Sequence, residues 1–170
     1  MSKAFTREET DGPDIPELPP LASVLPVGAK NYITARGAQS LRDELTRLVR
    51  ERRPSLAAAA DDPDAKRQLA SLDQRIYRLE ESLQLAEVVP PPEGGVDTVR
   101  FGATVVVREA NGEESSYRIV GVDETDLDRG WVSWLSPIAR ALMNAKAGQH
   151  VRFKIPSGEA ELEIVAISYD

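Results

Sequence analysis

Cysteine is absent from this chain, and histidine is reduced to His150 alone. Without thiols there are no disulfides, no thiolate zinc sites and no thiol nucleophile, which fits a reducing interior. A lone imidazole cannot build a histidine-based metal site, so His150 reads as a strand or surface residue. Aromatic residues make up only 5% of the sequence, a thin lining for a small-molecule pocket. No apolar run approaches the ~18 residues that span a bilayer, and Met1–Thr6 lacks the apolar core of a secretory signal. Gly94-Gly95 is not followed by the Gly-Lys-Ser/Thr of a phosphate loop. No catalytic set and no intrinsic metal or cofactor is marked. The expectation is a cytoplasmic protein that is not an enzyme and has no business with a membrane.

What is present is charge, unevenly placed. The net charge is −7, from 21 basic and 28 acidic residues. Residues 35–88 carry 10 of each sign, whereas residues 89–170 carry 8 basic and 13 acidic groups. An acidic chain gains nothing from counterion release on free duplex, so stable binding to free DNA is not expected. A protein is the better partner. With 41% hydrophobic residues over 170 positions, a packed core is within reach, in one domain or two small ones.

The clearest pattern is a leucine seam that folds back on itself. Leu41, Leu45 and Leu48 follow the alternating four-and-three spacing of a coiled-coil stripe, and Leu69, Leu72, Ile76, Leu79 and Leu83 follow it on return. Between them, Ala57-Ala58-Ala59-Ala60-Asp61-Asp62-Pro63-Asp64 ends one helix and starts another. Thr34 is a suitable N-cap for the first helix, which runs to about Ala60. Pro54 interrupts it by removing a backbone hydrogen bond, a common cause of kinks. The stripe falters there too, since Arg52 and Ser55 take its next two positions, which predicts a weaker distal arm. Asp62 followed by Pro63 opens the return helix, which runs to about Ala86. Each arm then spans roughly 35 Å at 1.5 Å per residue.

Residues 1–30 hold five prolines among acids and small residues and read as a disordered extension. Residues 31–88 form the antiparallel hairpin, and residues 89–98, with Pro90-Pro91-Pro92-Glu93-Gly94-Gly95, a linker. From residue 99 to 170 the period changes from helical to alternating. Phe101–Val107 and Tyr117–Val122 read as strands joined through an Asn111-Gly112 turn, and Trp131–Trp134 as a third. Ser136 caps a helix with Pro137 in its first turn, expected to reach Lys146 and stop at Gly148. Val151–Ile155 and Ala160–Tyr169 make a last hairpin. The fold class is α+β: a two-helix antiparallel coiled coil followed by a small antiparallel sheet with one helix. At least one of Trp131 and Trp134 belongs to the core.

The run Ser133-Trp134-Leu135-Ser136-Pro137-Ile138-Ala139-Arg140-Ala141-Leu142, placed behind a coiled coil, resembles the bacterial transcript-cleavage factors GreA and GreB. So do Asn31-Tyr32-Ile33-Thr34, Tyr117-Arg118-Ile119-Val120-Gly121, and Gly158-Glu159-Ala160 with Ile164–Tyr169. The likeness covers roughly residues 31–169. It implies an FKBP-like carboxy-terminal domain, although fold alone is poor evidence for prolyl isomerisation. It implies RNA polymerase as partner, with that domain docked on the rim of the secondary channel and the hairpin inside. Leu135, Ser136, Pro137 and Arg140 would belong to the docking surface. The tip acids of the family help hold a magnesium ion of the polymerase active site, where carboxylate oxygens are the ligands magnesium prefers. Here Asp61, Asp62 and Asp64 are the residues in place to meet that ion.

The resemblance fails at the tip. The Gly-Asp-x-Ser-Glu-Asn run of the family is missing, and the hairpin is about a dozen residues shorter, or ~9–10 Å less reach. Metal–oxygen bonds of about 2.1 Å leave no slack for that. The family's cleavage residues therefore do not carry over. Capping alone accounts for tip acids as well, since they are favoured at a helix start by ~0.3–1 kcal/mol each. Arg50, Arg52 and Arg53 could meet RNA or polymerase, or stay solvated or paired. The expected function is modulation of elongation and pausing, with cleavage stimulation weak or lost, by a monomer. The alternative is a non-catalytic interaction protein resembling the short-hairpin regulators of nucleoside diphosphate kinase.

Overall fold

The computed structural model describes residues 25–59 and 61–169. The expected extension over residues 1–30 lies mostly outside the described residues. The hairpin rises from a short strand, β1 (Asn31–Ile33). Helix α1 (Ala35–Arg47) starts at Thr34, whose side chain accepts the Gly37 N–H, so the expected cap is the one used. A π-helical turn, Leu48–Arg52, follows, then α2 (Arg53–Ala58). Helix α3 (Pro63–Leu85) returns, with Asp62 as N-cap and Pro63 in the first turn. It runs into β2 (Ala86–Val88), which pairs in parallel with β1 and closes the base.

Pro54 does not break the outgoing arm, and the reason corrects the expected loss of the stripe. Without an N–H, Pro54 cannot bond to the carbonyl four residues back. The chain instead widens just upstream, where the Arg53 N–H reaches five residues back to the Leu48 carbonyl. Such a turn inserts one residue into the helical count. The stripe position therefore moves from Ser55 to Leu56, which is buried together with Leu48, Ala65, Leu72 and Ile76. Leu45, Leu69 and Leu79 pack against that cluster, while Ile33, Ala38 and Leu41 continue it toward the base with Leu79, Leu83 and Ala86. The seam is continuous from base to tip.

The second layer is a five-stranded sheet in the order β5-β4-β3-β7-β6, where β3 is Thr104–Glu109, β4 Glu114–Val120, β5 Trp131–Ser133, β6 His150–Ile155 and β7 Gly158–Ser168. It is antiparallel except at one edge, where β4 and β5 run in parallel. Two short 3₁₀ turns, Val122–Glu124 and Leu127–Arg129, make that crossover. Gly112 adopts φ +87°, the left-handed conformation that the tight β3–β4 turn needs. Phe101-Gly102 belongs to a turn ahead of β3.

One helix, α4 (Pro137–Leu142), lies on the sheet. It is shorter than its sequence suggests, because Asn144 takes a left-handed φ of 66°. Its N–H then bonds to the Val99 carbonyl at 2.8 Å, an extended pairing that a helix to Lys146 would forbid. Ala139 and Leu142 face a core of Val99, Ala103, Val105, Val107, Ile119, Val132, Leu162 and Ile164. No helix among the described residues is long and apolar enough to cross a membrane.

Candidate functional site

The tip is a turn whose acids are largely committed to its own fold. Asp62 Oδ1 accepts the Asp64 N–H at 2.9 Å and caps α3. The Asp64 carboxylate pairs with Arg67 one turn on. Asp61 is exposed in the turn itself. Among the described residues no three carboxylate or imidazole groups converge as a metal site. The three aspartates are thus close in the chain without converging side by side.

The arginines behind the tip divide in the same manner. Arg53 grips Asp73 on the opposite helix, with Nε 2.8 Å from Oδ1 and a longer second contact of 3.4 Å. Arg52 donates to the Gln68 side chain at 3.1 Å. Both serve as rungs between the arms, while Arg50 points outward and is exposed. Arg52 also lines an open cleft of about 610 Å³ along the hairpin, with Arg75, Arg78, Leu56 and Leu72.

On the sheet domain, Ser136 is engaged as the cap of α4, its Oγ accepting the Ala139 N–H at 3.2 Å. Leu135 is half-buried, its N–H held by Ser133 Oγ at 3.2 Å. Pro137 and Arg140 are exposed. Of this group, Pro137, Arg140 and part of Leu135 present a surface, and Ser136 shapes it from beneath. Trp134 packs against the core and meets Tyr32 edge-on at 5.1 Å between ring centres. Trp131 lies instead under the guanidinium groups of Arg36, Arg118 and Arg129, each 5.4 to 5.9 Å from the ring centre. His150 is exposed beside Glu161, at 3.3 Å.

The residues that sequence reasoning missed sit where the hairpin meets the sheet. Asp123 Oδ2 takes hydrogen bonds from Asn31 Nδ2, at 3.4 Å, and from the Ser82 hydroxyl, so one carboxylate touches both arms. Asn31 Nδ2 also reaches the Ser82 carbonyl at 3.1 Å. Glu124 contacts Thr34 through both its backbone N–H and its hydroxyl. Lys30 and Glu87 add a bridge at 2.9 Å across the paired strands, and the Glu87 carboxylate holds the Lys30 pKa above its ordinary value. The one sequence signal for this junction was Gly37, which stands where a capped helix usually carries an acid.

Comparison with known proteins is consistent along most of the chain. A family model described as transcription elongation factor, GreA/GreB, C-term, matches residues 93–169. The transcription elongation factor GreB of Neisseria meningitidis serogroup A is 39% identical over 154 residues, which cover 82% of this chain and 94% of that protein. The transcription elongation factor GreA of Alkalilimnicola ehrlichii is 41% identical over 156 residues, covering 83% and 99%. Among solved structures, a GreA/GreB elongation factor of Nitrosomonas europaea aligns over 82% of this chain and all of its own, with 25% identity and a TM-score of 0.41.

Proposed function

The chain belongs to the GreA/GreB family of transcription elongation factors, and from that premise we propose that it binds RNA polymerase in the cytoplasm, with the hairpin in the secondary channel. Its expected effect is on elongation and pausing, with little stimulation of the polymerase's own transcript cleavage. The observation that carries this reading is the hairpin. Its apolar seam closes on itself from Leu41 to Leu83, so its outer surface is mostly polar, with Val49, Tyr77 and Leu85 as exceptions, and its turn carries three aspartates. A rod of that kind suits a water-filled, charged passage better than a greasy groove.

The chemistry of the tip argues for presence in the channel without catalysis. Sharing a magnesium ion takes one or two carboxylates with an oxygen at about 2.1 Å, the rest of its shell coming from water and phosphate. Asp62 holds the α3 cap and Asp64 holds Arg67, which leaves Asp61 as the readiest donor. One carboxylate on an exposed turn is a poor second-metal clamp. The docking contact would come from the exposed face of Pro137 and Arg140 beside Leu135.

Binding to core RNA polymerase at micromolar concentration is the first test, with Arg140→Glu as the matched variant. Stoichiometric binding that Arg140→Glu weakens supports the reading. No binding to core enzyme sinks it, and capture of a nucleoside diphosphate kinase instead would favour the interaction-protein alternative.

A further inference from the structure

Helix α1 begins at a cap that its own sequence leaves unfinished. Thr34 accepts the Gly37 N–H through its hydroxyl, at 2.9 Å. After a Ser or Thr cap, a Glu or Gln three residues on commonly reaches back to the cap residue's own N–H. Here that third position is Gly37, which has no side chain to send. The carboxylate arrives from the sheet domain. Glu124 Oε2 accepts the Thr34 N–H at 2.9 Å, and Oε1 takes the hydroxyl proton of the same residue.

Glu124 fills the space as well as the bonding role. A Cβ added to Gly37 would stand 2.0 Å from Glu124 Oε1 and 2.1 Å from Cδ, and the three nearest atoms all belong to Glu124. The absent side chain and the arriving one occupy one volume. Glu124 Oε2 also accepts the Gly121 N–H at 3.0 Å, which ties the carboxylate to its own turn. One side chain therefore bonds Thr34, the cap of the arm, and Gly121, the residue that follows β4. Its charge faces the positive end of α1, where anions are favoured.

We infer that Glu124 is a positioning residue: it completes the capping box of α1 from the sheet domain and so fixes the direction in which the hairpin presents its tip. The leverage is large. With arms of roughly 35 Å, a tilt of about 10° at the base moves the tip by about 6 Å. That exceeds the tolerance of any hydrogen bond the tip makes with a partner. This contact belongs to the free protein, whether or not RNA polymerase is the partner.

The absence of cysteine allows a clean test, because spin labels attach only where thiols are introduced. Lys66→Cys near the tip and Ser157→Cys in the β6–β7 turn give one inter-domain distance on the full chain. It is measured in three backgrounds: the parent, Glu124→Ala, and Gly37→Glu combined with Glu124→Ala. Removing Glu124 clears the space Gly37→Glu needs, so the double variant restores a capping box within α1 without restoring the Glu124 link between the domains, while the Asp123 and Trp134 contacts stay as they are. The expected result is a single narrow distance in the parent, lost in Glu124→Ala. In the double variant the helix content and Tm recover but the narrow peak does not. A narrow peak retained in Glu124→Ala would overturn the inference. So would its return in the double variant, since local capping alone would then hold the arm.

Discussion

At its base the hairpin is held by Asn31, Thr34 and Ser82 against Asp123 and Glu124, with Tyr32 seated on Trp134. At its tip the side chains of Asp62 and Asp64 engage only the helix they start, and Asp61 is exposed. The base spends its carboxylates on joining two domains, and the tip spends them on ending and starting helices. The difference teaches that the side-chain contacts between hairpin and sheet gather at the base. The base ties the hairpin to the sheet, whereas at the described tip residues no three carboxylate or imidazole groups come together.

The seam between those ends gives the largest expected effect. Leu56→Ala removes a side chain only 7% exposed, and should cost about 2–4 kcal/mol in denaturant unfolding. Ser55→Ala beside it should change little. Equal effects at the two positions would contradict the one-residue shift made by the π-helical turn. Next comes the base: Glu124→Ala should destabilise by about 1–3 kcal/mol, because it orphans the Thr34 and Gly121 N–H groups. A loss below about 0.5 kcal/mol, the ordinary scatter of surface changes, would erase the contrast between base and tip.

Asp62→Ala should cost about 1 kcal/mol as the loss of an N-cap, with Asp62→Asn keeping most of it. Rescue by Asn would show that the tip acid works as a cap and not through its charge. Smaller again is the Arg53–Asp73 rung, whose partners are both more than two-fifths exposed. A double-mutant cycle there should give about 0.2–1 kcal/mol and shrink with salt.

Much of this was legible in the residues, because the patterns that carry it are local. Thr34, Asp62-Pro63 and Ser136-Pro137 start their helices as capping chemistry requires, and Asn111-Gly112 turns β3 into β4. What escaped the sequence depends on partners far along the chain. Strands of three residues, Asn31–Ile33 and Ala86–Val88, exist only because the hairpin brings their ends together. The shift from Ser55 to Leu56 depends on how the backbone answers Pro54, which heptad counting cannot anticipate. Glu124 is ninety residues from the helix it caps. For the candidate site, the tip aspartates and flanking arginines were visible as charges, but their commitment to Arg67, Asp73 and Gln68 was not.

The most direct test of the account is RNA cleavage in backtracked elongation complexes, with this protein titrated against an authentic Gre factor. The account predicts no appreciable cleavage by this protein alone, together with dose-dependent inhibition of the authentic factor. Rapid cleavage that disappears in an Asp61, Asp62 and Asp64→Ala variant would contradict it, by showing that the tip completes a working metal site. An authentic factor left undisturbed at saturating concentrations would contradict it as well, by placing this hairpin outside the channel.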